Sequence, residues 1–139
     1  MALRYLLDTN ICIYIKRERP ATVRAHMARQ RPGSLGMSVV TWGELQFGAN
    51  KSQQADAAHA NLAALARIIA VLPLSEDVAG HYGDIRAVLE RQGTPIGNND
   101  LWIAAHARAE GVTLVTNNMR EFSRVPGLKL VNWAEGAAK

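Results

Sequence analysis

Short, largely apolar runs alternate along the chain with longer stretches in which apolar residues return every three or four positions. The runs are Leu3 to Leu7, Leu35 to Val40, Ile68 to Leu72, Val112 to Val115 and Leu128 to Val131. Rich in Val, Leu and Ile, they suit strands covered on both faces, as in a parallel sheet. Between them, Ala58, Leu62, Leu65 and Ile69 recur at helical spacing; so do Val78, Tyr82, Ile85 and Leu89, and more briefly Trp42, Leu45 and Ala49. Strand alternating with helix predicts an α/β domain whose central, mostly parallel sheet is flanked by α-helices.

Punctuation divides the chain in the same way. Ser75 with Glu76 and Asp77 starts a helix that Gly93 and Thr94-Pro95 end. Asn98-Asn99-Asp100 opens an alanine-rich helix that stops at Gly111, Pro20 suits the first turn of a second N-terminal helix, and Arg31-Pro32-Gly33-Ser34 is a loop. Neither repeat nor linker divides the sequence, so residues 1–139 are expected to form a single domain.

Composition narrows the class. At 139 residues, 48% apolar and 20% charged, the chain can bury a core without staples. Cys12, the lone cysteine, has no disulfide partner in the chain; in Ile11-Cys12-Ile13 it suits a small buried apolar role. The four histidines fall at no metal-ligand spacing, which leaves them packing or surface roles and excludes a structural zinc site. No apolar run approaches the ~20 residues that span a bilayer, and the opening residues do not form a signal peptide. A cytoplasmic protein is expected.

The net charge of +4 is unevenly distributed. Residues 1 to 31 hold seven of the sixteen basic side chains (Arg4, Lys16, Arg17, Arg19, Arg24, Arg29, Arg31) against only Asp8 and Glu18, whereas the rest of the chain holds nine basic and ten acidic groups. Such an excess suits either a solvated helix face or a surface that meets a polyanion.

Three of the twelve acids occupy one kind of position. Asp8 ends the first apolar run, Glu44 follows the second by four residues, and Asp100 starts the helix before the fourth. In an open parallel sheet, ligands collect outside the carboxyl ends of the strands. Singly, each acid has a structural role available: Asp8 as a helix cap, Glu44 in a Thr41-x-x-Glu44 capping box, Asp100 in a first turn favoured by the helix dipole. Together they crowd three negative charges, which requires a cation or a shared proton. Oxygen ligands without His or Cys point to Mg²⁺ or Mn²⁺, and a hard cation beside a basic flank points to a nucleic-acid phosphodiester.

The segments Tyr5-Leu6-Leu7-Asp8-Thr9-Asn10, Gly43-Glu44-Leu45, Pro95-Ile96-Gly97-Asn98-Asn99-Asp100 with Ala104-Ala105-His106-Ala107, and Leu114-Val115-Thr116-Asn117-Asn118-Met119-Arg120-Glu121-Phe122 together resemble a PIN domain. Among PIN domains they are most similar to the VapC ribonuclease toxins of type II toxin–antitoxin modules. The resemblance runs from Leu6 to Trp133. It implies a Mg²⁺-dependent endoribonuclease, Mn²⁺ substituting, with metal ligands at Asp8 and Asp100 and with Glu44 as the third catalytic acid, binding through water or orienting the nucleophile. In-line attack by water would leave 5′-phosphate and 3′-hydroxyl ends.

Asn118 stands where the family often has a fourth acid; it removes a charge and favours one tightly held ion over two. Glu121 could compensate, although a solvated position beside a buried Phe122 is expected for it. Thr9, Asn10, Thr116 and Asn117 are supporting polar groups or ordinary turn residues, and Lys16, Arg17 and Arg19 are candidate RNA backbone contacts. Few aromatics are present, so an extensive base-stacking platform is not expected, and Trp42 and Trp102 are assigned to packing. The resemblance further implies a tRNA substrate cut in the anticodon loop, a VapB-type antitoxin that lays a segment over the acidic groove, and a homodimer within a larger toxin–antitoxin assembly. The first two helices and the alanine-rich helix beginning near Gln53 are candidate docking walls. A housekeeping PIN nuclease of RNA processing, or a catalytically silent RNA- or partner-binding PIN module, would share the same motifs.

Overall fold

The computed structural model describes residues 2–134; Met1 and residues 135–139, which the single-domain reading takes in, lie outside the described residues. Elements follow in the order β1 (Tyr5–Leu7), α1 (Thr9–Arg17), α2 (Ala21–Ala28), β2 (Leu35–Ser38), α3 (Val39–Asn50), α4 (Ala55–Ile68), β3 (Ala70–Leu72), α5 (Glu76–Arg91), α6 (Asn98–Glu110), β4 (Thr113–Val115), α7 (Met119–Phe122) and β5 (Lys129–Val131). The five strands form one sheet in the order β3-β2-β1-β4-β5, and all four pairings are parallel.

Each apolar run is trimmed where its ladder ends. Leu6 faces Leu114 and Leu7 faces Val115 across β1 and β4, and the pairing stops there. The largest difference from expectation lies in Leu35 to Val40. Val39 and Val40 belong to α3, because Ser38 caps that helix through its Oγ, which accepts the Val40 N–H at 3.1 Å. Thr41 therefore sits inside the first turn, and the Thr41–Glu44 capping box does not form. Ile68 ends α4 and is 55% exposed, so β3 begins only at Ala70. Pro20 occupies the cap position just before α2. The one-turn helix α7 has no counterpart in the periodicity, being too short to display one.

Within the strands, successive apolar residues serve opposite faces, as the period of two demands. Leu6 and Leu114 join Ile85, Leu89, Ile103 and Phe122 under α5 and α6. Leu7 and Val115 join Ile11, Ile15, Leu45, Leu62 and Leu65 under α1, α3 and α4. Cys12 is fully buried in this second cluster. Trp42 and Trp102 are half-buried against the two cores, Trp102 stacked on Tyr82 at 3.9 Å between ring centroids. Gly111 ends α6 in the left-handed conformation at φ 70°, which glycine adopts without the Cβ penalty.

The chain builds outward from β1 through β2 to β3, then returns to the other side of β1 to lay down β4 and β5. The connections diverge at the carboxyl ends of β1 and β4, which opens a crevice there.

Candidate active site

Asp8 and Thr116 are the first residues beyond β1 and β4, so the β1–β4 pairing sets them side by side. Asp8 is 4% exposed. One carboxylate oxygen accepts the Ile11 N–H at 3.0 Å, which caps α1, and the other accepts the Thr116 hydroxyl at 2.5 Å. Capping α1 therefore does not withdraw this carboxylate from the crevice, since its second oxygen points to Thr116 beyond β4. Burial pushes the Asp8 carboxyl up to about 6; the Thr116 and Ile11 hydrogen bonds pull against that shift, and the charge of Glu44 adds to it.

Glu44 reaches the crevice from the second turn of α3. Freed from the capping box, its Oε1 accepts the Thr9 hydroxyl at 2.5 Å and its Oε2 accepts the Asn99 amide at 3.3 Å. Thr41 Oγ1 lies 3.3 Å from Thr9 Oγ1 behind this contact. Glu44 is therefore held by α1 on one side and by the start of α6 on the other.

Asp100 stands in the first turn of α6, half-buried. Its carboxyl is also pushed up to about 6, first by burial and then by Glu121, Asp8 and Glu44. The three acids predicted from sequence share one electrostatic site, and Glu121 is a fourth. It is not simply solvated: it is half-buried and in contact with Asp100. Asn118 explains its placement. As the cap of α7, Asn118 donates its Nδ2–H to Glu121 Oε2 at 2.5 Å, and its own backbone N–H is held by Thr116 Oγ1 at 2.9 Å. The charge missing at position 118 is supplied three residues later, at a position that only the turn of α7 brings inward.

The remaining polar candidates separate by what they touch. Thr9 and Thr116 each hold a site acid, whereas Asn10 meets Asn117 at 3.5 Å and Asn117 donates to the Tyr14 hydroxyl at 2.6 Å, tying α1 to the loop after β4. Asn99, which sequence reasoning passed over, is a site residue; its position beside Asp100 on a helix start was the available signal.

Among the described residues, no three carboxylate, imidazole or thiolate groups are close enough to ligate one ion by themselves. Mg²⁺ is commonly bound through one or two carboxylates with several waters retained, and the neighbouring Asp8 and Asp100 offer donors of that type. Two buried or half-buried carboxyls that raise their own proton affinity to about 6 are also a donor set whose charge a cation would balance.

A groove of about 910 Å³ lies between α1 and α3, and Glu44 and Asn99 are among the residues that line it. Lys16 and Arg17 line it. Arg19 does not; it lies beyond the left-handed turn at Glu18 that ends α1. Arg24 is paired with Glu18, and Arg4 precedes β1, at the opposite end of that strand from Asp8. The basic excess of the first 31 residues is therefore dispersed, and two of its members reach the groove. Its walls are α1 and α3; α4 lines none of it. No helix among the described residues is long and apolar enough to cross a membrane.

The PIN domain family profile matches residues 5–128. The chain is 44% identical over 132 residues to the tRNA(fMet)-specific endonuclease VapC of Shigella flexneri, an alignment covering 95% of this chain and 99% of that protein. It is 42% identical over 131 residues to ribonuclease VapC2 of Haemophilus influenzae, covering 94% and 98%. Its fold superimposes on VapBC-1 from nontypeable Haemophilus influenzae with a TM-score of 0.89 and 38% identity, covering 96% of this chain and all of that one. With Asp8, Glu44 and Asp100 gathered where β1 and β4 diverge, and with such relatives along nearly its whole length, the chain belongs to the PIN-domain family of VapC ribonucleases.

Proposed function

We propose that the protein is a Mg²⁺-dependent endoribonuclease toxin of a VapBC module that cuts tRNA in the anticodon loop and so stops translation, with Mn²⁺ able to substitute. The observation that carries this reading is the convergence of Asp8, Glu44 and Asp100 on one crevice, with Asp8 and Asp100 each raised to about 6. Asp8 and Asp100 would hold the ion. When bound, a divalent cation neutralises phosphate charge and makes its coordinated water more acidic.

The chain's own groups then have distinct tasks. The Thr116 hydroxyl donates a hydrogen bond that fixes the Asp8 carboxylate and favours its ionised form against the opposing effect of burial. Thr9 and Asn99 hold both oxygens of Glu44, so its carboxylate is oriented to align an attacking water with the phosphorus. Glu121, positioned by Asn118, adds negative charge beside Asp100. Lys16 and Arg17 offset the repulsion that four acids would otherwise exert on an RNA backbone. A single-stranded loop admits the in-line geometry that a regular duplex restricts. The tRNA substrate is supported by the identity to the Shigella enzyme named for tRNA(fMet).

The structural relative from Haemophilus is a VapBC complex, which supports a co-encoded VapB-type antitoxin for this chain as well. An antitoxin arginine paired with the crevice carboxylates would neutralise them by a bidentate, charge-assisted contact. A homodimer within a larger toxin–antitoxin assembly completes the proposal. The test is cleavage of purified tRNA with Mg²⁺ or with EDTA, mapped at the 5′ ends of the products, alongside Asp8→Asn and Asp100→Asn proteins. Loop cleavage that needs Mg²⁺ and both aspartates is expected. Equal cleavage in EDTA, or by either variant, overturns the reading.

A further inference from the structure

Phe47 is the most exposed large apolar side chain among the described residues, at 64%. It belongs to neither core cluster, yet it lines the groove that Glu44 also lines. It lies three residues beyond Glu44 on α3, about one helical turn or 5 Å along the axis. Gly43, one turn before it, carries no side chain, and a Cβ added there would meet nothing within 4 Å, so the groove floor between Glu44 and the ring is open on that side. Lys51 Nζ stands 4.8 Å from the ring centroid, and Lys16 and Arg17 line the same groove from α1. Beyond Glu44, no acidic residue lines the groove.

We infer that Phe47 is a stacking surface for one base of a single-stranded RNA, belonging to a nucleotide beside the scissile phosphate, with Lys16, Arg17 and Lys51 neutralising the adjoining backbone. This rests on the ribonuclease reading and names how that site holds its substrate. Three features favour RNA over an apolar protein segment as the occupant. The groove is continuous with the acids that would process the backbone, since Glu44 belongs to both. Its charged lining apart from Glu44 is entirely cationic, complementary to phosphate. An exposed ring beside cations is the combination with which single-stranded nucleic acids are held without reading sequence. One aromatic suffices here; the low aromatic content excludes an extended platform but not a single base site.

The experiment uses the full chain in two forms. In an Asp100→Asn background, which keeps the groove and removes cleavage, an anticodon stem-loop RNA carrying 2-aminopurine at one loop position at a time reports stacking by fluorescence quenching. Quenching is expected at one or two adjacent positions, to be lost in Phe47→Ala and Phe47→Leu and kept in Phe47→Trp. Affinity should fall at least about fivefold in Phe47→Ala, as loss of one base stack requires. In the otherwise unchanged enzyme, Phe47→Ala should raise KM by a similar factor with little change in kcat. Phe47 is exposed, so these variants test binding and not folding. Unchanged quenching and KM in Phe47→Ala, with cleavage intact, overturn the inference and leave the ribonuclease reading standing; the same result with loss of antitoxin binding assigns the groove to a protein partner instead. Phe47-dependent quenching in the Asp100→Asn protein, together with no RNA cleavage by the protein that retains Asp100, overturns the ribonuclease reading and leaves the base site.

Discussion

Replacing Asp8 with asparagine is expected to stabilise the metal-free protein at neutral pH while abolishing its activity. The Asp8 carboxyl is raised from 3.8 to about 6, chiefly by burial, so the folded chain binds this proton more tightly than the unfolded chain does. Its contribution to stability is therefore fully present below about pH 4 and is lost as pH rises through about 6. At 1.36 kcal/mol per pH unit, the loss by about pH 8 is about 3 kcal/mol. Asparagine keeps nearly the same shape. Its amide oxygen can accept the Ile11 N–H that caps α1, and its NH₂ can donate to Thr116 Oγ1, so little else changes. Urea unfolding in EDTA should show the variant more stable than the parent by up to about 3 kcal/mol at about pH 8, and equal to it at about pH 4. Adding Mg²⁺ at the higher pH should narrow the gap by stabilising only the parent. A variant less stable at the higher pH, or an advantage independent of pH, would refute the claim that buried charge at Asp8 is held at a cost that a cation relieves.

Thr116→Val removes the hydroxyl that favours ionised Asp8, so the Asp8 carboxyl should move further up and the acid limb of the pH–rate profile should shift to higher pH; an unmoved limb would show that this hydrogen bond does not tune the site. Lys16→Ala and Arg17→Ala should each flatten the dependence of log affinity for single-stranded RNA on log salt by about 0.7, whereas Arg19→Ala, outside the groove, should leave the slope unchanged. His106 is fully buried with neither ring nitrogen hydrogen-bonded, and burial lowers its pKa from 6.5. The folded state thus prefers the neutral ring. Stability from this group is present above pH 6.5 and falls as pH drops toward the lowered value, so His106→Leu should lose less stability than the parent between about pH 7 and 5 in urea titrations.

The order of elements and the parallel sheet were legible in the chain because they depend on near neighbours. Alternating short apolar runs and helical periods specify strands and helices locally, and a domain of this size has few ways to stack them. Asp8, Glu44 and Asp100 were legible for the same reason: each follows a strand or opens a helix, and the topology of a parallel sheet carries such positions to one edge. Where local signals competed, the reading failed. The run Leu35 to Val40 and the Thr41–Glu44 capping box gave no hint that Ser38 caps α3; that follows from the end of β2 pairing at Ser38.

What only the tertiary structure decided is which polar group faces which. Thr116 reaches Asp8 across 108 residues, Thr9 reaches Glu44 across 35 and Asn99 reaches Glu44 across 55. Such contacts depend on strand register and helix phase, and these follow from the packing of the whole sheet, not from any local run. The same holds for charge. The sequence concentrates its basic excess in the first quarter, but the fold sends Arg4 to the far end of β1, pairs Arg24 with Glu18, and leaves Lys16 and Arg17 in the groove. Chain position determined which residues were available; burial, register and helix phase determined which of them meet.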